Sequence, residues 1–163
     1  MKKKLRFIFV TALLSSLMIL PITSCNNDDD SDDGQQQTTY FFKCKINGSN
    51  FEVTTHLSDF DGTNANIGGQ QVDPADQRIS LINLFAANLA SSGIGTFTPG
   101  SATEALFRDV NGTNYFYQSG SFEITEFNAA NSTVSGGFSS ITFSSGTETV
   151  VATEGSFHVY MIQ

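Results

Sequence analysis

The 163-residue chain has few basic residues, few cysteines and histidines, and no tryptophan. Eight Lys and Arg stand against 16 Asp and Glu, and four of those eight lie in the first six positions. Beyond residue 24, four basic residues remain against 16 acidic ones, a net charge of −12. Too few cations are left to neutralise a run of phosphates, which excludes nucleic acid as a partner. Two cysteines exclude a disulfide-rich scaffold and a four-thiolate metal site.

Residues suited to catalysis are also scarce. His158 alternates with Phe157 and Val159, so we expect it on the outward face of a strand, and His56 is the one other histidine. The sequence has no Gly-x-Ser-x-Gly elbow, zinc-protease motif or phosphate-binding loop. A pair of carboxylates contributed by separate strands, as a glycosidase uses, stays open. The sequence therefore predicts a protein that is not an enzyme and has no cofactor.

Residues 1–24 have the pattern of a secretory signal. A basic start is followed by an apolar run over residues 7–22, which Thr, Ser and Pro residues interrupt. This run is shorter and more polar than the roughly 20 apolar residues of a spanning helix. Small residues follow it, as at a processing point. A retained membrane anchor is the alternative.

The last residues of this segment resemble a bacterial lipobox. Ile22, Thr23 and Ser24 precede Cys25, which gives a branched apolar residue and two small residues before a cysteine. The resemblance implies cleavage before Cys25 and conversion of its thiol to a diacylglyceryl thioether. Several acyl chains give stable membrane anchoring. The alternative is ordinary secretion with Cys25 left as a thiol.

Residues 25–39 read as a disordered linker. Five Asp lie between residues 28 and 33, and three Gln follow at residues 35–37. Such a run repels itself and buries no apolar surface, so we expect a solvated spacer. An acidic cluster directly after a lipidated cysteine also resembles the export signal of Bacteroidota surface lipoproteins. That resemblance implies a lipid-anchored protein of the outer membrane, exposed on the cell surface.

Residues 40–163 show the two-residue period of β-strands. Phe42, Cys44 and Ile46 alternate with polar residues, and a hairpin signal, Asn47-Gly48, follows. The return strand is predicted to place its apolar residues on one face from Phe51 to Leu57. Residues 78–85 read as a central strand buried on both sides, with a short helix near residues 85–90 as the alternative.

Turn signals then recur about every ten residues, the last of them Gly155. Short strands at this spacing are typical of antiparallel sheets. The predicted fold is an all-β, antiparallel β-sandwich or barrel-like meander of about 8–10 strands.

The C-terminal half carries a second resemblance. Short Gly-Ser-Phe and Gly-Gly-Phe motifs, typical of strand starts and turns, recur in residues 119–128, 131–138 and 154–157. Together with the lipobox and the acidic linker, these segments are similar to small Bacteroidota lipoproteins that carry a β-meander domain of unknown function. The resemblance implies location and architecture, and it supplies no catalytic residues.

One stretch has the spacing of cation ligands. Asp59, Asp61 and Asn64 place hard oxygen donors close together in a predicted loop over residues 58–77. Gln70 stands where an EF-hand needs a bidentate Glu, so an EF-hand is excluded. The alternatives are a looser calcium site and a polar loop whose Asp and Asn make turns.

Two further features concern ligands. Tyr115 and Tyr117 fall on the same face of one strand, where they either stack on a ligand or pack. Cys44 is predicted to be a buried apolar residue, with a disulfide to Cys25 as the alternative.

The function predicted from the sequence is that of a binding or interaction module for an extracellular glycan or protein. The binding surface is expected at the 58–77 loop and the neighbouring strand ends. A lipocalin-like carrier of a small apolar ligand and a structural envelope protein are the alternatives, and the volume of the barrel interior distinguishes the carrier.

Overall fold

The computed structural model describes residues 39–101 and 104–163, and these are almost entirely β. The predicted signal segment and the linker up to residue 38, including Cys25, lie outside the described residues. The strands and the single short helix among the described residues are β1 Phe41–Ile46, β2 Ser49–Glu52, β3 Thr55–His56, β4 Asp59–Phe60, β5 Ala65–Val72, β6 Ile79–Ala86, α1 Leu89–Ser92, β7 Gly95–Phe97, β8 Ala105–Arg108, β9 Asn114–Gly120, β10 Phe122–Asn128, β11 Thr133–Ser144 and β12 Thr149–Tyr160.

The twelve strands of the described residues form one antiparallel sheet that curls into a half-barrel. Its main path runs β2-β1-β12-β11-β9-β8-β6-β5-β3, with β10 attached along β11, β7 along β10 and β4 along β5. β2 pairs with β1, whereas β3 and β4, the next strands in the chain, pair with β5. The chain from β2 to β4 therefore crosses the gap between the two ends of the sheet. The predicted fold class is confirmed.

The hairpin signal at Asn47-Gly48 is also confirmed. Both residues have positive φ, 48° and 85°, as the two-residue turns that match strand twist require. Asn47 tolerates this conformation, and its side-chain oxygen accepts a hydrogen bond from the Val151 N–H at 2.8 Å. The turn is thereby fixed to the start of β12.

The interior of the half-barrel is packed with apolar side chains. Alternation along the strands points these residues inward, and Phe42 stacks on Phe157 with ring centroids 5.8 Å apart. The largest fully buried side chains are Phe42, Phe122, Phe143, Phe157, Ile67, Ile82, Leu84, Leu89, Ile124, Ile141, Met161 and Val134.

The predicted loop over residues 58–77 is wrong. β4 and β5 occupy much of this stretch, and all eight residues of β5 pair with β6. The Gly68-Gly69 pair made this stretch read as a loop in the sequence, because glycine is depleted in strands. The two glycines are needed here: a Cβ at Gly68 would overlap the carbonyl oxygen of Ile82 on β6.

Other predictions are corrected in detail. The return strand keeps one buried face only through Phe51 and Val53, and Thr55 and Leu57 are exposed after the chain changes partner from β1 to β5. Gly155 is not a turn but lies inside β12, where the ring of Phe138 covers its Cα.

The segment over residues 78–85 is a strand, as expected. β6 has one fully buried face, whereas its other face is mostly half-buried rather than buried. α1 overlaps the end of the stretch given for the alternative short helix and continues beyond it.

Candidate functional site

A cleft of about 310 Å³ opens at one end of the half-barrel. We call it the mouth cleft. It is lined by residues from seven strands and two turns: Ile46, Asn47, Ser49, Asn50, Phe51, Gln71, Ser80, Phe107, Asp109, Val110, Tyr115 and Val150. The floor is aromatic and aliphatic and the rim is polar, which is the usual make-up of a small-ligand site.

Three aromatic rings form the floor of the mouth cleft. Phe107 on β8 contacts Phe51 edge-on at 6.3 Å between ring centroids and Tyr115 on β9 at 5.9 Å. Each ring is about 95% buried, so the floor is supported from beneath and presents little free surface. Because β2 and β8 are not paired with each other, the Phe51–Phe107 contact also holds the curled sheet together across its interior.

Tyr115 is the sequence-predicted ligand residue that lies in the cleft. Its hydroxyl donates to Glu148 Oε2 at 2.9 Å. This hydrogen bond, burial, and the negative charges of Glu148 and Asp109 raise the pKa of Tyr115 above its usual value. The phenol is therefore held neutral as a donor.

Tyr117 shares the face of Tyr115 on β9 but is outside the cleft lining. It is half-buried against the core, and its hydroxyl donates to the carbonyl of Gly120 at 2.8 Å. Tyr115 therefore lies in the mouth cleft, whereas Tyr117 lies in the body of the sheet. Ligand stacking by these residues stays a prediction.

The rim of the mouth cleft is built from ordered turns. Asp109 accepts hydrogen bonds from the backbone N–H of Asn111 at 2.9 Å and of Thr113 at 2.8 Å, which fixes the β8–β9 turn. Gln71 and Ser80 are directly paired across β5 and β6, so their side chains share one face. Asp109 is the one charged residue among the lining residues.

The predicted calcium ligands form a turn. Asp61 Oδ1 accepts from the backbone N–H of Asn64 at 2.7 Å and of Thr63 at 2.8 Å, and Oδ2 accepts from the Asn64 side-chain amide at 2.9 Å. These hydrogen bonds, with that of the Asn64 backbone first, hold the pKa of Asp61 below its usual value.

Asp59 is separate from this turn. It lies on β4 opposite Asn66, and no hydrogen bond joins it to Asp61 or Asn64 in the described chain. Within residues 39–101 and 104–163, no three His, Cys, Asp or Glu side chains lie close enough to hold one metal ion. A calcium site at these residues stays a prediction.

A hydrogen-bonded group lies on the outer face of the sheet. His158 is on the outward face of β12, as expected, and its Nδ1 is 2.7 Å from Ser135 Oγ. Ser135 also donates to Glu126 Oε2 at 3.2 Å. Tyr40 stacks on the His158 ring at 5.5 Å, and His158 Nε2 is buried with no partner in the described part of the chain.

Cys44 is buried on β1, as predicted, and forms no disulfide among the described residues; the alternative partner, Cys25, lies outside them. Burial raises its pKa to about 12. His56 lies on β3 opposite Gly69, where its Nδ1 is buried without a partner among the described residues.

Sequence reasoning missed most of the mouth cleft. Phe51 and Phe107 read as ordinary inward strand residues, and the polar rim residues read as turn formers. The one usable signal was Tyr115 beside the Asn111-Gly112 turn. No helix in the described residues is long and apolar enough to span a membrane. Comparison with protein-family models, curated proteins and solved structures gave no match, so the site is interpreted from its geometry.

Proposed function

We propose that this chain is a lipid-anchored lipoprotein of the outer membrane that displays its β domain on the cell surface as a non-enzymatic binding module. Cys25 carries the anchor and residues 26–38 connect it to the domain. The ligand is an extracellular neutral glycan, bound in the mouth cleft. The observation that carries this proposal is the aromatic floor beneath a rim whose hydrogen-bonding side chains, apart from Asp109, are neutral.

The chemistry of the rim favours a neutral polyol. Asn47, Ser49, Gln71 and Ser80 offer amides and hydroxyls that both donate and accept. Asp109 supplies the lining's one formal charge, which disfavours an anionic ligand. A volume of about 310 Å³ is at the lower end of small-ligand sites, which suits a short saccharide segment.

The packed interior argues against the carrier alternative. A lipocalin-like protein keeps an apolar cavity inside its barrel. Here the inward side chains Phe42, Ile82 and Phe143 have no exposed surface, so the interior is occupied by the protein's own residues.

The outer hydrogen-bonded group also fits a non-enzymatic protein. In a nucleophilic site, a carboxylate orients the histidine and the histidine activates the serine. Here Glu126 contacts Ser135 rather than His158, and the second nitrogen of His158 has no partner among the described residues. The Ser135 hydroxyl therefore lies between the carboxylate and the imidazole, whereas a nucleophilic serine stands at the end of such a hydrogen-bonded series.

The proposal is tested by titrating the protein with a panel of neutral oligosaccharides in a calorimeter. Ser49→Ala and Gln71→Ala each remove rim hydrogen bonds and should weaken binding by about three- to tenfold, since one such bond contributes about 0.5–1.5 kcal/mol. Gln118→Ala, an exposed change on β9 outside the cleft, is the matched control and should bind like the parent. Absence of binding to any neutral glycan, or equal binding by all variants, would contradict the proposal.

A further inference from the structure

Four large apolar side chains are exposed together on the outer surface at the end of the domain opposite the mouth cleft. Tyr40, Leu57, Tyr160 and Ile162 have between 39% and 64% of their surface exposed. We call these four residues the outer patch. Other exposed large apolar residues of the described chain, such as Ile79, Ile94 and Phe116, belong to other strands or connections.

The backbone places the four side chains side by side. Tyr160 and Ile162 flank the fully buried Met161, so both point outward, and the Tyr40 and Tyr160 rings are 6.0 Å apart. Asp59 forms a parallel bridge with Ile162. Leu57 lies two residues before Asp59, across the buried Ser58, and so shares that outward face.

The outer patch lies where the chain from the anchor reaches the domain. Tyr40 is the second described residue, and 14 residues separate it from Cys25. Even fully extended, those residues span no more than about 50 Å. If the anchor of the proposed function holds, the patch stays within this distance of a lipid surface, at the high local concentration that a tether creates.

The mouth cleft lies at the other end of the same strands. β12 runs from Val150 in the cleft to Tyr160 in the patch, and ten residues of strand span about 33 Å. β1 likewise runs from beside Tyr40 to Ile46 in the cleft. A surface that contacted the patch would leave the cleft open and pointing away.

We propose that the outer patch docks on the lipid bilayer that holds the anchor, so that the mouth cleft faces outward. This inference rests on the lipid anchor of the proposed function. Tyrosine suits the bilayer interface because its ring is apolar and its hydroxyl is polar, and Leu57 and Ile162 supply aliphatic surface. Lys43, whose Nζ lies 5.2 Å from the Phe41 ring centroid, supplies a cation on the outward face of β1. Because Asp59 is charged and is also exposed here, the outer patch can enter the bilayer only as far as the headgroup region.

The absence of tryptophan from the chain makes a direct test possible. Tyr160→Trp puts a single fluorophore in the outer patch, and Phe116→Trp puts one at a position of similar exposure on β9 as the matched control. The lipidated proteins are purified from membranes and reconstituted in phosphatidylcholine vesicles with brominated acyl chains. We expect blue-shifted, quenched emission from Tyr160→Trp and unshifted, unquenched emission from Phe116→Trp. Ile162→Trp should repeat the Tyr160→Trp result and guards against a folding defect in one variant.

Other outcomes overturn the inference. Quenching of both fluorophores or of neither would mean that the patch does not dock selectively. Emission from Tyr160→Trp that responds to a soluble neutral glycan but not to the vesicles would assign the patch to the glycan instead. Protein that fails to float with the vesicles would refute the anchor, and the docking inference would fail with it.

Discussion

Gly136→Ala is expected to destabilise the domain strongly, because two rigid neighbours occupy the space of the added methyl group. A Cβ at Gly136 would overlap the carbonyl oxygen of Glu123 on β10 and lie 2.6 Å from Phe157 Cζ. Phe157 is 2% exposed and stacks on Phe42, so its ring has no free space to enter. The Glu123 carbonyl is held by the pairing of β10 with β11.

The cost follows from overpacking, which destabilises by roughly 1–3 kcal/mol when neighbours must move. With both neighbours fixed we expect the upper value, about 3 kcal/mol, and a fall in Tm of roughly 10 °C for a domain of this size. Urea unfolding of the chain from residue 26, followed by far-UV circular dichroism, measures this difference.

Gly100→Ala is the matched control. The nearest atom to its Cβ would be Glu104 Oε2 at 3.4 Å, an ordinary contact with the end of a side chain, and the φ of Gly100 is not positive. We expect a change within about 0.5 kcal/mol of the parent. If Gly136→Ala were as stable as Gly100→Ala, the packing of β10 and β12 against β11 described above would be refuted.

Three further predictions follow from buried and charged groups. The raised pKa of Cys44 means that the unfolded thiol ionises first, so stability is intact below pH 9 and falls as the pH rises toward 12. In Cys44→Ala, the free energy of unfolding should fall less steeply between pH 9 and 12 than in the parent. An equal slope in the two proteins would contradict the prediction. For the calcium hypothesis, calcium should raise Tm, and replacing Asp59 and Asp61 with Asn should abolish the rise; a parent without any rise refutes the site. Phe42→Ala should cost about 3–5 kcal/mol in denaturant unfolding, against less than about 1 kcal/mol for the exposed Phe116→Ala, and equal costs would show that Phe42 is not a core residue.

The period-two pattern was enough to predict the β fold, because inward apolar residues such as Phe42 and Phe122 alternate with exposed ones. Strand boundaries were predicted less well where glycine serves packing rather than turning. Gly68 and Gly155 lie inside strands because neighbouring groups approach their backbones too closely for a side chain. Sequence composition does not distinguish this use of glycine from its use in turns.

The candidate site was harder to predict for a different reason. The mouth cleft joins Phe51 to Phe107 and Tyr115. The last two face each other across the β8–β9 hairpin, but Phe51 is distant from both in sequence and meets them only because the sheet curls. Strand alternation predicts that each points inward, but it does not predict which inward residues lie at an open end. In contrast, the acidic turn at Asp61 has local hydrogen bonds that its Asp, Gly and Asn spacing predicts.

The most direct test of the account is intact-mass spectrometry of the protein extracted from its own membranes. The proposed anchor predicts a chain that begins at Cys25 and carries the mass of a diacylglyceryl group with an added acyl chain. A matched Cys25→Ala chain should lack that mass and leave the membrane fraction. A chain that retains residues 1–24, or a processed chain with an unmodified Cys25, would contradict the proposed anchor and with it the display of the β domain at the cell surface.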